Sequence, residues 1–207
     1  MFRRYAFAWW YLGTYVVAEV VYAALSPAAQ AALDNWATTS VANLEHDPVG
    51  SLLFSAFIGP GDYFALPLLI ALAVFGANRA LGNLRTAVIC AAGHVIGTLV
   101  SEGIVAYRVG NGQLPAASRH LIDLGPSYVV MSAIVIALVC GSTAARVAAA
   151  VDLAILVFIG DIFGGLSRLA VPAVGHVTAA LVAAVCVALV LVRSRRYAIW
   201  PTAMPIR

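Results

Sequence analysis

The chain has 207 residues, of which 63% are hydrophobic and only 10% are charged, and its formal net charge is +3. A soluble domain carries about a quarter charged residues, so this composition excludes an ordinary soluble protein and indicates an integral membrane protein. No stretch interleaves basic with aromatic residues, which excludes nucleic acid as an expected partner. The three cysteines stand in apolar runs without metal-binding spacing, and we interpret them as small core residues.

Six apolar runs are long enough to be transmembrane helices, since about 20 apolar residues cross the hydrocarbon core of a bilayer. Backbone N–H and C=O groups must be paired within lipid, so each run is expected to be helical. The first run follows Arg3 and Arg4 and is too long for a signal peptide, so we expect it to stay as an anchored span. The predicted spans are 5–25, 63–81, 86–106, 125–141, 144–164 and 170–192.

The segment between the first two predicted spans, residues 26–62, is too long for a simple connector. Its sequence favours short helical pieces with apolar faces, broken at Pro48 and at the Gly-Pro-Gly cluster of residues 59–61. Such pieces typically lie in the plane of the membrane interface, where we expect this outer loop. The sequence contains no internal repeat and no separate soluble segment, so residues 1–207 are predicted to form a single membrane domain.

The arginines predict the orientation of the spans, because cytoplasmic segments of membrane proteins are enriched in basic residues. With a cytoplasmic N-terminus, nine of the twelve arginines fall in inner segments. The three in outer segments are Arg108, Arg119 and Arg168. Six spans return the C-terminus to the starting side, so both termini are predicted to be cytoplasmic.

Ser127 and His176 are the first candidate site residues. Each lies just inside the start of a predicted span, the fourth and the sixth, and the predicted topology places both in the outer part of the membrane. A serine hydroxyl and an imidazole on the same side of the membrane are the smallest set of groups that supports nucleophilic hydrolysis. In that reaction histidine takes the serine proton while the serine attacks a carbonyl.

Further titratable residues lie at membrane depth, where such groups usually face a bundle interior or a water-filled cavity. His94 and Glu102 are eight residues apart and so lie on roughly one face of the third span. They either contact the Ser127 region or stabilise helix packing. Glu19 and Asp161 stand close to span ends, and we interpret them as structural or solvated groups. Together the titratable groups predict a polar cavity open to the outside.

A metal site is not predicted. His94, Glu102, Asp123 and His176 supply ligand types, but their spacing matches no HxxxH or HExxH pattern. No cofactor is expected either. His46 and His120 fall in outer loops and are interpreted as solvated.

Four segments of the sequence form a recognisable pattern. The fourth span opens with Gly-Pro-Ser at 125–127, and the sixth begins with GHVTAALVAA at 175–184. SLLFSAFIGPG at 51–61 and FGANRALGNLRT at 75–86 lie before and after the second span. Together these segments resemble the rhomboid family of intramembrane serine proteases, which has similar segments at these places. The resemblance covers about residues 40–192 and is strongest to the divergent rhomboid-like proteins of actinobacteria.

This resemblance implies an all-α, six-helix bundle that crosses the bacterial plasma membrane and acts on transmembrane proteins. It implies that Ser127 is the nucleophile and that His176 is the general base and then the acid. The family's second span begins with a histidine and, four residues on, an asparagine that help to bind the oxyanion, whereas this chain has Tyr63 and apolar residues there. Oxyanion and supporting candidates are Gly125, Tyr128, His94, Tyr63 and Glu102.

Three functions follow from these residues. The first is a serine endopeptidase that uses the Ser127–His176 dyad to cleave transmembrane substrates within the bilayer. The second is a rhomboid-like pseudoprotease that binds transmembrane clients, favoured by the lack of the histidine and asparagine and by Tyr128 in place of the usual glycine. The third is a hydrolase of lipids or small molecules that uses the same cavity.

Overall fold

The structure is a computed structural model that describes residues 2–59 and 65–199, with side chains described to residue 194. In these two ranges every regular element is a helix. The α-helices are α1 (Ala6–Ala23), α2 (Pro27–Ala37), α3 (Val41–His46), α4 (Pro48–Phe54), α5 (Ala65–Leu81), α6 (Asn83–Gly110), α7 (Ser127–Cys140), α8 (Thr143–Phe158) and α9 (Val171–Ile199). Short 3-10 turns flank several of them.

Six longer helices, α1 and α5 to α9, pack into a bundle, and α2 to α4 form the segment between α1 and α5. Within the described ranges two helical stretches are long and apolar enough to cross a membrane by themselves, Asn83–Gly110 and Val171–Ser194. Helices α5 and α7 are apolar but shorter, with 17 and 14 residues. The all-helical architecture is thus confirmed, while the count of six spans and the cytoplasmic position of both termini stay predictions.

Close contacts between small residues show that α6 runs antiparallel to α7 and α9. A methyl group at Gly97 would lie 3.0 Å from the Gly175 carbonyl oxygen, and one at Gly93 would lie 3.5 Å from that of Ala179. In α7, Tyr128 lies at Gly97 and Ser132 lies at Gly93, so α7 passes α6 in the same direction as α9. Helices α7 and α9 therefore begin at the end of the bundle where α6 finishes, which we call the His176 end.

The helices agree with most of the predicted spans in position. Helix α1 falls within 5–25, and α6 extends beyond 86–106 at both ends. Helix α8 ends at Phe158, before the predicted limit of residue 164, because Asp161 adopts a left-handed φ of 46° in a turn rich in glycine. The predicted start of the second span, at residue 63, lies outside the described residues.

Over its described residues, 26–59, the outer loop consists mainly of short helices, as its sequence predicts. Pro27 and Pro48 occupy the first turns of α2 and α4, where a missing N–H costs nothing. The side chains of Ser26, Ser40 and Asp47 accept hydrogen bonds from first-turn N–H groups of α2, α3 and α4. These capping hydrogen bonds stabilise the start of each short helix and so determine where one helix is separated from the next. Its position in the membrane interface stays a prediction.

Helix α7 lies at the centre of the bundle, in contact with α5, α6, α8 and α9. Nine of its residues are buried, among them Val130, Met131, Ile134 and Ile136. Because α7 is apolar on all sides, it has no polar face that could point to water, and burial is its stable position. The first turn of this central helix carries Ser127, so packing places the predicted nucleophile at the His176 end.

Candidate functional site around His176

The chain reaches α7 through a turn that only glycine adopts easily. Gly125 has a φ of +125°, and its N–H donates to the Ser55 carbonyl oxygen at 2.9 Å. Pro126 precedes the first helical residue, and no side chain in the described ranges caps the helix there. The N–H groups of the first turn are therefore left for water or for a developing oxyanion, as expected at an uncapped helix N-terminus.

His176 is 3% exposed, and its hydrogen bond defines its tautomer. Its Nδ1 lies 3.0 Å from the Ile162 carbonyl oxygen, which can only accept a hydrogen bond. Nδ1 therefore carries the proton, and Nε2 presents a lone pair. This Nε2 is buried and has no hydrogen-bond partner among the described residues. The imidazole thus has the form of a base without a proton donor in place.

The side chain of Tyr128 in α7, the residue after the predicted nucleophile, contacts His176. The two rings meet edge to face, with centroids 5.0 Å apart and an interplanar angle of 84°. Ser127 is half-buried, and no hydrogen bond joins it to His176 within the described part of the chain. The structure therefore brings His176 and Tyr128 together, whereas the Ser127–His176 dyad stays a prediction.

Tyr128 is fixed at both ends of its side chain. Its hydroxyl donates to Asp123 Oδ2 at 2.9 Å and approaches the Val171 carbonyl oxygen at 3.3 Å. Its ring lies against the backbone of Gly175, where an added methyl group would come within 2.0 Å of Tyr128 Cζ. Glycine at position 175 thus makes room for the tyrosine between α6, α7 and α9.

Asp123 links Tyr128 to the outer loop, a role that sequence analysis missed. Its backbone and carboxyl groups bind the buried Thr38 and Thr39, including an Asp123 N–H bond to Thr38 Oγ1 of 2.7 Å. Burial raises the pKa of the Asp123 carboxyl, and the hydrogen bonds from Tyr128 and Thr39 partly oppose this rise. The sequence offered one signal of this role, since Asp123 lies directly before an apolar run. Burying a carboxylate there costs free energy unless it is hydrogen-bonded.

His94 belongs to a second polar group, between α6 and α4. Its Nε2 lies 2.9 Å from the Leu52 carbonyl oxygen and 3.2 Å from Ser55 Oγ. Because the carbonyl only accepts, Nε2 carries the proton and cannot take one from Ser55. The Ser55–His94 contact is thus a structural hydrogen bond that links two helical segments. The centroid of the His94 ring lies 6.1 Å from that of Tyr128.

The remaining candidates are dispersed. Glu102 is 2% exposed and lines a cavity of about 200 Å³ between α3 and α6, together with Val41. Glu19 accepts a hydrogen bond of 2.8 Å from the Gly59 N–H, which agrees with its structural interpretation. Tyr63 lies outside the described residues. In the ranges that the structure covers, no three histidine, cysteine, aspartate or glutamate side chains are placed to hold a metal ion.

An apolar groove of about 360 Å³ lies beside His94, between α1, α4 and α6. Aromatic side chains form much of its wall, and its lining includes Phe7, Trp10, Tyr11, Leu53, Phe57 and Cys90. Trp10 and Leu53 are about half exposed, so the groove opens at the bundle surface. An apolar surface of this kind suits contact with lipid chains or with another transmembrane helix.

Fold and site together define an all-helical membrane protein with a polar group buried around His176. Residues 2–197 match the sequence model of the rhomboid-like protein family, and the chain belongs to that family. No curated protein and no solved structure matches the chain. The resemblance noted in the sequence is thereby confirmed, and the family indicates a protein of the intramembrane protease or pseudoprotease kind.

Proposed function

We propose that this protein recognises transmembrane client proteins in a bacterial plasma membrane and does not cleave them. In this proposal it is a multi-pass protein with cytoplasmic termini, and the His176 end faces outward. Support for the orientation comes from the nine inner and three outer arginines. Support for a transmembrane client comes from the rhomboid-like family.

The observation that carries the proposal is the contact between His176 and Tyr128. A nucleophilic serine acts with its base at about 2.6–3.2 Å, a distance that is often longer without substrate, whereas the buried Nε2 of His176 has no hydrogen-bond partner in the described ranges. The ring of Tyr128 packs edge to face with the imidazole, and the hydroxyl of Tyr128 is held by Asp123. Such an arrangement supports a site that is built and rigid but lacks an activated nucleophile.

A second candidate function, intramembrane proteolysis, is favoured by a different observation. The Nδ1 bond to Ile162 leaves Nε2 of His176 as an acceptor, which is the tautomer that a general base requires. In this case Ser127 Oγ attacks the peptide carbonyl, Nε2 takes its proton, and the uncapped N–H groups of α7 bind the oxyanion. The protonated imidazole then donates to the leaving amine, and water hydrolyses the acyl-enzyme.

Labelling with a fluorophosphonate probe in detergent separates the two functions. We expect labelling of the wild type to equal that of Ser127→Ala and His176→Ala. Ser167→Ala is a matched control, because Ser167 is an exposed serine near the same end of the bundle. Labelling that is lost in Ser127→Ala and His176→Ala but kept in Ser167→Ala overturns our proposal and supports a serine hydrolase that uses the Ser127–His176 pair.

A cellular experiment tests client binding itself. A strain that carries Ser127→Ala should keep the phenotype of the wild type, because binding needs no nucleophile. Replacing Leu53 with Arg in the apolar groove should abolish that phenotype, since it places a charge where a client helix would pack. Leu121→Arg, at a 46% exposed residue in the loop before α7 that does not line the groove, is the matched control for a charge on the bundle surface. A phenotype lost in Ser127→Ala alone contradicts the proposal.

A further inference from the structure

The arginines at the His176 end fall into two classes. Arg119 forms an ion pair with Glu45. Arg108 and Arg168 have no carboxylate partner among the residues that the structure describes, and both line one pocket of about 390 Å³. Two unpaired guanidinium groups in one pocket form a local positive charge, which is unusual at the end of the bundle that holds fewest arginines.

One side of the pocket is formed by a turn whose backbone conformation is held by hydrogen bonds. Leu169 adopts a left-handed φ of 58°, a conformation that is uncommon for residues other than glycine. Hydrogen bonds from the N–H groups of Arg168 and Ala170 to the Gly165 carbonyl oxygen hold the turn. The Arg168 carbonyl oxygen then accepts a bond of 2.9 Å from Arg108 Nη1. The guanidinium of Arg108 is thus positioned by one of its five donors, and the others stay available.

The lining has the chemistry of a phosphate site with an apolar side. Its polar members besides the two arginines are Gln113, Ser167 and Tyr107, whose side chains can all donate, and none of the described residues that line it is acidic. Ile104 and Leu169 supply the apolar wall. Guanidinium groups bind phosphate oxygens through paired, charge-assisted hydrogen bonds, and hydroxyl and amide groups complete such sites.

The position of the pocket along α6 points to the headgroup layer of a membrane. A 28-residue helix is about 42 Å long, more than the roughly 30 Å of a hydrocarbon core, so its end extends into the polar layer. Arg108 lies in the last turn of α6, and the neighbouring Tyr107 is 67% exposed. Exposed tyrosines are typical of the interface between hydrocarbon and headgroups.

We propose that Arg108 and Arg168 form a binding site for a phosphate group, filled by the headgroup of an anionic phospholipid whose chains lie along Ile104 and Leu169. This site is separate from the polar group around His176 and does not depend on the proposed function. It anchors the turn before α9, which carries His176, to the surrounding lipid.

The test is native mass spectrometry and thermal unfolding of the purified full chain with added phosphatidylglycerol. We expect phosphatidylglycerol to bind the wild type and to raise its melting temperature, and phosphatidylcholine to do so much less. Arg168→Gln and Arg108→Gln should each weaken phosphatidylglycerol binding by roughly fivefold. Arg119→Gln removes one positive charge from the same end of the bundle but leaves the pocket intact, so its binding should stay that of the wild type.

Two further arms make the result decisive. Arg108→Lys keeps the charge but loses the paired geometry, so it should bind phosphatidylglycerol less tightly than the wild type and more tightly than Arg108→Gln. Inorganic phosphate that protects the wild type and displaces the lipid would still support a phosphate site, but with free phosphate as its ligand. Equal phosphatidylglycerol binding by the wild type, Arg108→Gln and Arg168→Gln overturns the proposal, as does an equal loss in Arg119→Gln.

Discussion

Tyr128 is the residue on which the polar site depends. It contacts His176 through its ring and Asp123 through its hydroxyl, and Asp123 in turn binds Thr38 and Thr39 of the outer loop. A single side chain therefore couples α7, α9 and the segment between α1 and α5. The replacement of glycine by tyrosine at this position, which the sequence indicates as a departure from the rhomboid pattern, is an integral part of the packing.

Removing the Tyr128 hydroxyl should destabilise the fold while keeping the ring contact with His176. Tyr128→Phe leaves the buried Asp123 carboxyl without its hydrogen bond of 2.9 Å, a change that costs about 1–3 kcal/mol. Thermal unfolding in detergent should show a lower melting temperature. Tyr107→Phe, at an exposed tyrosine, should leave it unchanged. Equal melting temperatures for Tyr128→Phe and the wild type would contradict this account of Asp123.

At the scale of helices, the centre of the molecule is the junction of α6, α7 and α9. Gly93, Gly97 and Gly175 allow their helices to approach so closely that added methyl groups would meet Ser132, a carbonyl oxygen and Tyr128, respectively. Close approach through small residues stabilises membrane helices by dispersion, because lipid provides no hydrophobic driving force between them. The junction also contains the contact between the rings of Tyr128 and His176.

A methyl group at the junction should be far more harmful than one on the surface of the same bundle. Gly175→Ala places its Cβ within 2.0 Å of Tyr128 Cζ, so the ring must move, and we expect a loss of about 1–3 kcal/mol. Gly103→Ala on α6 meets nothing within 4 Å and should be neutral or slightly stabilising, because alanine favours a helix. Thermal unfolding of the two variants makes the comparison, and similar melting temperatures would contradict the tight packing at Gly175.

The sequence predicted the helices well, because apolar runs bounded by proline, glycine and arginine are strong local signals. Five of the six longer helices begin within a few residues of the predicted limits. The predicted start of the remaining helix, α5, falls outside the described residues. The early end of α8 was missed, since Asp161 and the glycines around it form a turn that apolar composition alone does not reveal.

The site was predicted less completely, because its contacts join residues far apart in the chain. Helix order correctly placed Ser127 and His176 at the same end of the bundle. It did not predict that Tyr128 would contact His176. Which side chain of the first turn of α7 faces α9 depends on the backbone conformation of the turn at Gly125. The bond between Asp123 and the threonines spans more than 80 residues, a distance over which periodicity carries no information.

At the scale of the whole molecule, two asparagines position the N-terminus. Asn78 accepts a hydrogen bond from the Ala8 N–H and donates to the Arg4 carbonyl oxygen. Asn83 does the same for Phe7 and Arg3. These bonds satisfy backbone groups at the start of α1 and hold it where α5 ends and α6 begins. The N-terminus therefore lies at the end of the bundle opposite His176.

This arrangement gives the predicted topology a direct test. Asn111, just after α6, is exposed near the His176 end, and Leu84, 77% exposed, lies at the opposite end. In a background in which Cys90, Cys140 and Cys186 are replaced by alanine, Asn111→Cys and Leu84→Cys each add one thiol. A membrane-impermeant maleimide should label the Asn111→Cys variant in intact cells, because few arginines mark that end as the outer one.

The Leu84→Cys variant should be labelled only after the cells are made permeable, since Arg79 and Arg85 beside it mark the cytoplasmic side. Labelling of both variants after permeabilisation is the control that both thiols are reachable. The reverse pattern in intact cells would place the His176 end in the cytoplasm, and the site would then meet its clients from the inside. Because the polar group around His176 lies at one end of the bundle, its side of the membrane decides which part of a client it can reach.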